Sequence, residues 1–558
     1  MATDPKQLVE RLASMKSKRT VWHSLWDDII KYVTPRQTLS SGIPSAGSSK
    51  TSDVYDGTAI NGNTILASGL YGFLCPPHSK WFSLKAKDNE VNENYEARQF
   101  LLSMTDRMHE ELAESNFGLE VFQLFLALGS IGTTCMYEEA GENTTLNFST
   151  KHISEFFISE NKDGMVDTVF REFPFTSRQA VQQFGIENCP ESVRKSYGAH
   201  KYEESFSFLH AVYPREDYNS SKRDNINMPF ASVYVGVKDK EVISESGYKE
   251  FPYMSPRWMK ASGEIYARSP SSMNLPDIKM LNQMSYTIIR AGQKYVDPPV
   301  NAPAYMEGRV NQKPRGINYY KEGQKDRVEE VKKSGGDLGI GMELEDQRRG
   351  VINRGYFVDL FLALSQATKQ MTIPEVQERL QEKLVILAPI LGRLQAELFD
   401  PLLYRSYGTC KRAGIFGRID VDENLLDAPE SLRGQKLEIE YTSKLARAMK
   451  MVEVGAFNSA METIVPLAQA FPDILDNLDY DDAARGIMER NGVPATWIRD
   501  WEIVTEMRKA RQEEIQNAAM AEKLQQATDI AKNLSGKVDP SSPLKSMEES
   551  PAAVEGLV

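Results

Sequence analysis

Ile278, Leu281, Ser285, Ile288, Gly292 and Tyr295 recur at steps of 3, 4, 3, 4 and 3, the repeat of one face of an α-helix. Asn274 to Asp277 can start this helix, and Asp297-Pro298-Pro299 must end it, because proline lacks the donor and restricts the residue before it. At 1.5 Å per residue the rod is about 34 Å long. Ser285 and Gly292 lie on its face and permit close approach of a second helix. The interval to about residue 341 is rich in Gly, Pro and charge and shows no long period, and a second helical run covers Glu343 to Leu364. Two rods, 271–297 and 342–364, therefore bracket an insertion at 298–341. Such a hairpin needs a body to stand on, and 558 residues are enough for about three or four structural units.

The N-terminal part reads as helical. Leu8, Leu12 and Met15 are followed by Leu25, Trp26, Ile29 and Ile30 until Thr34-Pro35 stops the pattern. A Ser- and Gly-rich stretch at 38–53 reads as a mobile loop, and apolar helical runs follow at Ala59 to Leu74 and Glu96 to Phe125. From about 144 to 260 the texture changes to short Phe, Val, Ile and Tyr runs between turns, which is strand-like. One helix interrupts it at Thr176 to Phe184, where Thr176 and Gln179 have capping-box spacing and Gly185 is a stop. Residues 228–244 read as a hairpin turning at Lys238-Asp239-Lys240.

After the second rod, SQATKQM (365–371) is a short polar break. Thr372 and Glu375 again have capping-box spacing, and Val376, Leu380, Leu384, Leu387, Leu391 and Leu394 mark a long amphipathic helix that Pro389 should kink. Residues 441 to about 505 are helical with turns at Phe471-Pro472 and Asn491-Gly492. In 505–535, Met520, Leu524, Ala527, Ala531 and Leu534 form a thin seam that suits helix association better than a monomer core. Residues 536–558 have the composition of a disordered tail.

Several function classes lose their chemistry here. No apolar stretch approaches the roughly 20 residues of a membrane span, and residues 1–20 lack the apolar core of a signal peptide. Cys75, Cys135, Cys189 and Cys410 stand far apart with no C-x-x-C pair and read as reduced thiols. A phosphate loop of the form G-x-x-x-x-G-K-[ST] is missing, and the Gly-rich SGGDLGIG at 334–341 reads as a joint. The six histidines show no metal-ligand spacing and no G-x-S-x-G elbow accompanies them. We therefore expect no catalytic constellation, no metal and no cofactor. The balance of 66 basic against 78 acidic side chains, net −12, counts against tight sequence-independent DNA binding. Brief contact stays open, because with a screening length of about 8 Å nucleic acid feels only the charge along its path.

Three blocks carry a resemblance: YDGTAINGNTILASGLYGFLCPPHSKWFSL (55–84), EFPYMSPRWMKASGEIYARSPSSMNLPDIKMLNQ (250–283) and MTIPEVQERLQEKLVILAPILGRLQAELFDPLLYR (371–405). In content, order and spacing they resemble the head-to-tail connecting, or portal, proteins of short-tailed, T7-like bacteriophages, across about residues 5 to 450. The Ala- and Gln-rich C-terminal end departs from the pattern, in a region where this family varies. The resemblance implies an α+β, mainly α portal fold with wing, stem, clip and crown regions, in a subunit that forms a ring, usually a dodecamer, at one capsid vertex. The wing would take residues 1–270, the stem helices 271–297 and 342–364, the clip 298–341 and the tunnel loop 365–371. The long kinked helix and a return to the wing would take 372–440, the crown 441–504 and a barrel-like helix 505–535.

The implied function is a channel for double-stranded DNA packaging and ejection, in the virion and, during assembly, in the host cytoplasm. The implied partners are the terminase large subunit, the tail adaptor, the major capsid and scaffolding proteins, and DNA bound without sequence specificity; no membrane insertion is implied. Within that frame, Lys369 flanked by Gln366 and Gln370 would contact DNA weakly, or be an ordinary solvated loop residue. Arg309, Lys313, Arg315, Lys321, Lys325 and Arg327 make the clip interval locally basic, as an interface to adaptor and terminase or as a solvated charged loop. The alternatives are a nucleic-acid-processing enzyme, which would need a phosphate loop or an acidic metal cluster, and a structural tail protein, which a sequence repeat would signal.

Overall fold

The structure, a computed structural model, describes residues 4–35, 51–88, 91–296, 300–301, 329–330, 338–366, 387–416, 429–442, 455–468, 471–490 and 497–535, except positions 93, 142, 220, 223, 433, 435, 456 and 500. The chain divides into two compact units, Met1–Phe457 and Asn458–Val558.

In the first unit, Asp4 accepts the Lys6 amide at 2.9 Å and starts α1 (Pro5–Tyr32). Its expected apolar face is buried at Leu8, Leu12, Met15, Trp26, Ile29 and Ile30, while Leu25 is partly buried. α2 (Thr58–Leu74), β1 (Phe82–Ala86), α3 (Tyr95–Glu114) and α4 (Phe117–Ile131) follow. The single helix expected from Glu96 to Phe125 is thus two. The break falls at Ser115-Asn116, where Asn116 exchanges two 2.8 Å hydrogen bonds with the Phe148 backbone and so leaves the helical path. α2 packs on α4, whose Gly129 lets the Asn63 side chain reach the Leu126 carbonyl at 3.1 Å.

Strands come next: β2 (Cys135–Ala140), β3 (Leu146–Lys151), β4 (Phe156–Glu160) and β5 (Val166–Thr176). Then α5 (Ser177–Phe184) forms where expected, with the reciprocal Thr176–Gln179 capping box and Gly185 at its end. The short α6 (Glu191–Gly198) was not legible, since only Val193 and Ser196 of its eight residues are buried and no period can emerge. β6 (Ser205–Pro214), β7 (Phe230–Gly236), β8 (Glu241–Tyr248) and β9 (Tyr253–Met254) complete the region. β4 to β8 form a five-stranded antiparallel sheet in sequence order, and β3, β2 and β9 form a three-stranded one. The β7–β8 turn is the expected one at Lys238-Asp239-Lys240, with Lys240 at φ 54°.

α7 (Pro270–Val296), β10 (Val300–Asn301), β11 (Glu329–Glu330), α8 (Leu338–Gly355) and α9 (Val358–Gln366) lead to a helical stretch at 387–394, a π-turn at Gln395–Phe399 and α10 (Asp400–Ala413). The start of the long helix expected from Thr372 lies outside the described residues. Leu387, Leu391, Leu394 and Leu398 are buried, as their spacing requires. Pro389 lies within the helical stretch, and the departure from α-helical bonding comes later, at the π-turn. β12 (Leu437–Tyr441) returns to pair antiparallel with β1, Phe82 opposite Tyr441. One main core joins the helices to the three-stranded sheet, with Trp26, Phe82, Phe125, Phe148, Tyr253 and Tyr356 among its largest members. All four cysteines are free and buried in the fold.

The second unit has helical residues at 458–468, a short 3-10 turn at Pro472–Asn477, α11 (Tyr480–Arg490) and α12 (Trp501–Ser535). Arg508 clasps Asp481 with two bonds of 2.5 and 2.7 Å, and Arg485 lies over the Trp501 ring at 5.4 Å. Among its described residues only Ala468 is buried. Met520 and Leu524 of the expected seam are each 68% exposed.

One buried acid predicts a pH response. Glu138 of β2 is fully buried; its carbonyl accepts two Arg405 bonds of 2.8 and 3.0 Å, and its carboxylate accepts from Ser406 at 3.2 Å. Burial pushes its carboxyl from 4.5 up to about 8, against the opposing pull of Arg405 and Ser406. Below pH 4.5 folded and unfolded chains both hold the proton. Between 4.5 and about 8 only the unfolded chain releases it, so this group lowers stability as pH rises. Glu138→Gln, which resembles the protonated acid, should melt like the parent near pH 4.5 and become more stable than it by on the order of 5 kcal/mol at pH 9. Thermal melts of both proteins across that range check it, and an equal pH slope for the two would refute it.

Candidate functional site

The hairpin of α7 and α8 runs from the core of the first unit toward solvent. α7 begins earlier than the Asn274 start expected, because Ser269 and Ser272 cap each other through paired 2.9 Å side-chain-to-amide bonds. Asn274 turns back to donate to the Pro270 carbonyl at 2.9 Å. Along the expected face, Ile278, Leu281 and Ser285 are buried, Ile288 and Gly292 half-buried, and Tyr295 is 64% exposed. The rod thus runs from the core out into solvent.

α8 lies antiparallel against it. Contacts pair Asn274 with Gly355, Asp277 with Arg348 at 2.9 Å, Ser285 with Glu345 at 2.7 Å, and Ile288 with Gly341. The small residues at 285, 341 and 355 are what allow this approach. After the first rod, Val300 pairs with Glu330 and Asn301 with Glu329 in a two-stranded antiparallel neck. The second rod ends sooner than expected. Phe357 takes a left-handed φ of 57°, which costs roughly 1–2 kcal/mol for a residue with a Cβ, and splits the run into α8 and α9. Two aromatic rings offset that cost: Tyr356 packs on Gly62 and Phe361 on Gly69, where a methyl group would collide. The buried Tyr356 hydroxyl bonds Ser271 at 2.7 Å, and Ser271 donates to the Gly129 carbonyl at 2.7 Å.

A polar chain fixes the hairpin's base. The Tyr55 amide donates to Asn282 at 2.7 Å, Asn282 donates to the Asp53 carbonyl at 2.9 Å, and the Tyr55 and Tyr286 rings lie 4.8 Å apart. Asp56 accepts the Thr58 amide at 2.8 Å and Arg349 at 3.0 Å; Arg349 continues to Glu345 at 3.1 Å, and Glu345 to Ser285. Against the loss of hydration on partial burial, Asp56, Asp346 at 2.8 Å and Glu345 together raise the Arg349 pKa and hold it charged.

Of the residues proposed from sequence, Gln366 is the last residue of α9, so Ser365 and Gln366 belong to a helix and the polar break begins after them. Lys369 and Gln370 lie outside the described residues, as do Arg309, Lys313, Arg315, Lys321, Lys325 and Arg327. Sequence reasoning missed Asp56, Asn282, Glu345 and Arg349. Asp56 and Asn282 do fall within the blocks quoted for the resemblance, and two of those blocks meet here. Among the described residues no group of three acidic, His or Cys side chains could hold a metal, and no helix is long and apolar enough to cross a membrane.

Comparison with known proteins decides the family. The profile of the "Bacteriophage head to tail connecting protein" family matches residues 5–498. This chain belongs to that family. Its relatives include the portal protein of Salmonella phage epsilon15, 30% identical over 542 residues that cover 96% of each chain. A probable portal protein of Bordetella phage BPP-1 is 28% identical over 553 residues, 97% of this chain and 96% of its own. A chain from the solved virion of a native gene transfer agent particle aligns with 75% of this chain and 92% of its own at 10% identity and a TM-score of 0.35, too slight a likeness to carry argument. The mixed helix and sheet content agrees with the α+β class expected of the family.

Removing the cation at the hairpin base should be costly. Arg349→Ala leaves the Asp56 and Glu345 carboxylates, each under a tenth exposed, with hydrogen bonds from the Thr58 amide and the Ser285 hydroxyl but without the arginine that bridges them. We expect a loss of about 2 kcal/mol in denaturant unfolding, with Arg349→Lys recovering only part because it cannot fork between them. A loss below about 0.5 kcal/mol would mean the hairpin's base is held by packing alone.

Proposed function

We propose that this family member is a portal subunit: copies close into a ring, with about twelve members, whose channel carries double-stranded DNA into and out of the capsid at one vertex. The observation that carries the reading is the anchored α7–α8 hairpin, in a chain covered almost end to end by phage portal relatives. In this reading α7 and α8 are the stem, and the segment beyond the β10–β11 neck is the clip. Residues 365–371 would form the tunnel loop, 441–504 the crown and 505–535 a barrel-like helical extension. Ring closure requires heterologous contacts, each subunit using two different surfaces. The exposed Ile289, Val296, Met342 and Leu344 on the rods offer apolar area for them.

The clip would dock the terminase large subunit during packaging and the tail adaptor afterwards, through Arg309, Lys313, Arg315, Lys321, Lys325 and Arg327. Lys369, with Gln366 and Gln370, would touch passing DNA weakly. Capsid and scaffolding proteins would hold the ring at its vertex in the virion, after assembly in the host cytoplasm.

Electron micrographs of the purified full-length protein test the core of this reading: closed rings with an axial hole are expected, and monomers or fibres would overturn it. Finer roles have their own checks. Arg309→Glu with Arg315→Glu should weaken adaptor binding about tenfold or more at moderate salt, and unchanged binding would remove the clip assignment. Lys369→Ala should alter packaging or DNA retention; unaltered values would leave Lys369 a solvated residue.

A further inference from the structure

Arg257 is 1% exposed and ties its own 257–265 segment to two distant stretches of chain, 160–164 and the helix around 397. Its guanidinium meets Glu160 at the end of β4, the Gly164 carbonyl at 2.9 Å, the Ile265 carbonyl at 3.3 Å and the Glu397 carboxylate at 2.7 and 3.1 Å. Its backbone amide also donates to Glu397, at 2.9 Å. Lys260 shares Glu160 at 2.6 Å, so the cluster is balanced in charge.

Glu397 sits inside the π-turn, where the Asp400 amide reaches back to the Gln395 carbonyl. Pro401 explains why the helix widens there. In an α-helix its ring would collide with the Glu397 carbonyl, and it has no amide to offer that carbonyl. A π-turn inserts one residue and makes room. It also swings residues before it by about 100° relative to an uninterrupted helix. Proline therefore disfavours the α-register, and the doubly bonded Glu397 holds the π-register in one place.

We propose that Arg257 is a register lock: through Glu397 it keeps the π-turn at Gln395–Phe399, and releasing it lets residues 387–394 turn relative to α10. The lock ties this helix to the 252–268 segment that runs directly into α7. It does not depend on ring formation.

Hydrogen exchange on the full-length protein tests it with Glu397→Gln, Pro401→Ala and the double variant. Glu397→Gln should speed exchange of amides 395–403 about tenfold, leaving β6 and β7 as slow as in the parent. Pro401→Ala alone should keep parental exchange, because the lock still holds. The double variant, free to form an uninterrupted α-helix, should regain slow exchange, with α-helical bonding through 395–399 in a high-resolution structure. Parental exchange in Glu397→Gln, or a double variant that keeps the π-turn, would overturn the lock. If Glu397→Gln does not fold, rescue of folding by the added Pro401→Ala supports the lock and failure of rescue overturns it.

Discussion

A two-helix projection has little core of its own, so its direction is set by what grips its base. In this chain the grip is a row of charge, the largely buried Asp56 and Glu345 carboxylates bridged by the half-exposed Arg349, continued by Ser285. Burying two carboxylates is unfavourable unless a cation and hydrogen bonds answer them, and the answer has to come from particular positions. Apolar contact between rods tolerates sliding by a turn. Fork-shaped bonds from one arginine to carboxylates on two separate chain segments do not. The Tyr356 and Phe361 rings seated on the α2 glycines act the same way, since each glycine admits one ring at one place.

Much of this architecture was legible, because periodicity survives wherever one face of a helix is buried. Leu8, Leu12 and Met15, the capping box at Thr176 and Gln179, and the steps from Ile278 to Tyr295 each foretold an element that formed. Failures had specific causes. The Ser115-Asn116 and Tyr356-Phe357 breaks lie inside stretches read as single helices, where tertiary contacts with Phe148 and with the α2 glycines decide the path. β1 and β12 were missed because each finds its partner only across most of the chain. Pro389 was taken as the disturbance of the long helix, yet it is Pro401 that adjoins the π-turn.

The hairpin's base was illegible for a related reason. Asp56, Asn282, Arg349 and Arg257 are common polar residues with no motif among themselves, and nothing in their spacing announces a contact. What could have flagged them was their position: Asp56, Asn282 and Arg257, with Glu397, all fall in the three blocks that resemble the family. Those blocks are distant in sequence and adjacent in the fold, so the resemblance marked the supports of the structure. The proposed DNA and docking residues lie elsewhere.

The same distribution bears on how a chain of net charge −12 could guide a polyanion. Each phosphate neutralised by a cation releases counterions and adds to a binding energy that sliding must repeatedly undo. Here Arg257, Arg349 and Arg405 are committed to carboxylates or carbonyls within the fold and have little left to offer a phosphate. Basic residues are dense in the sequence at 309–327. A screening length of about 8 Å confines their influence to whatever comes close to them. Under the portal reading, a duplex would pass walls that hold it only weakly, while the basic residues proposed for docking would serve proteins rather than DNA.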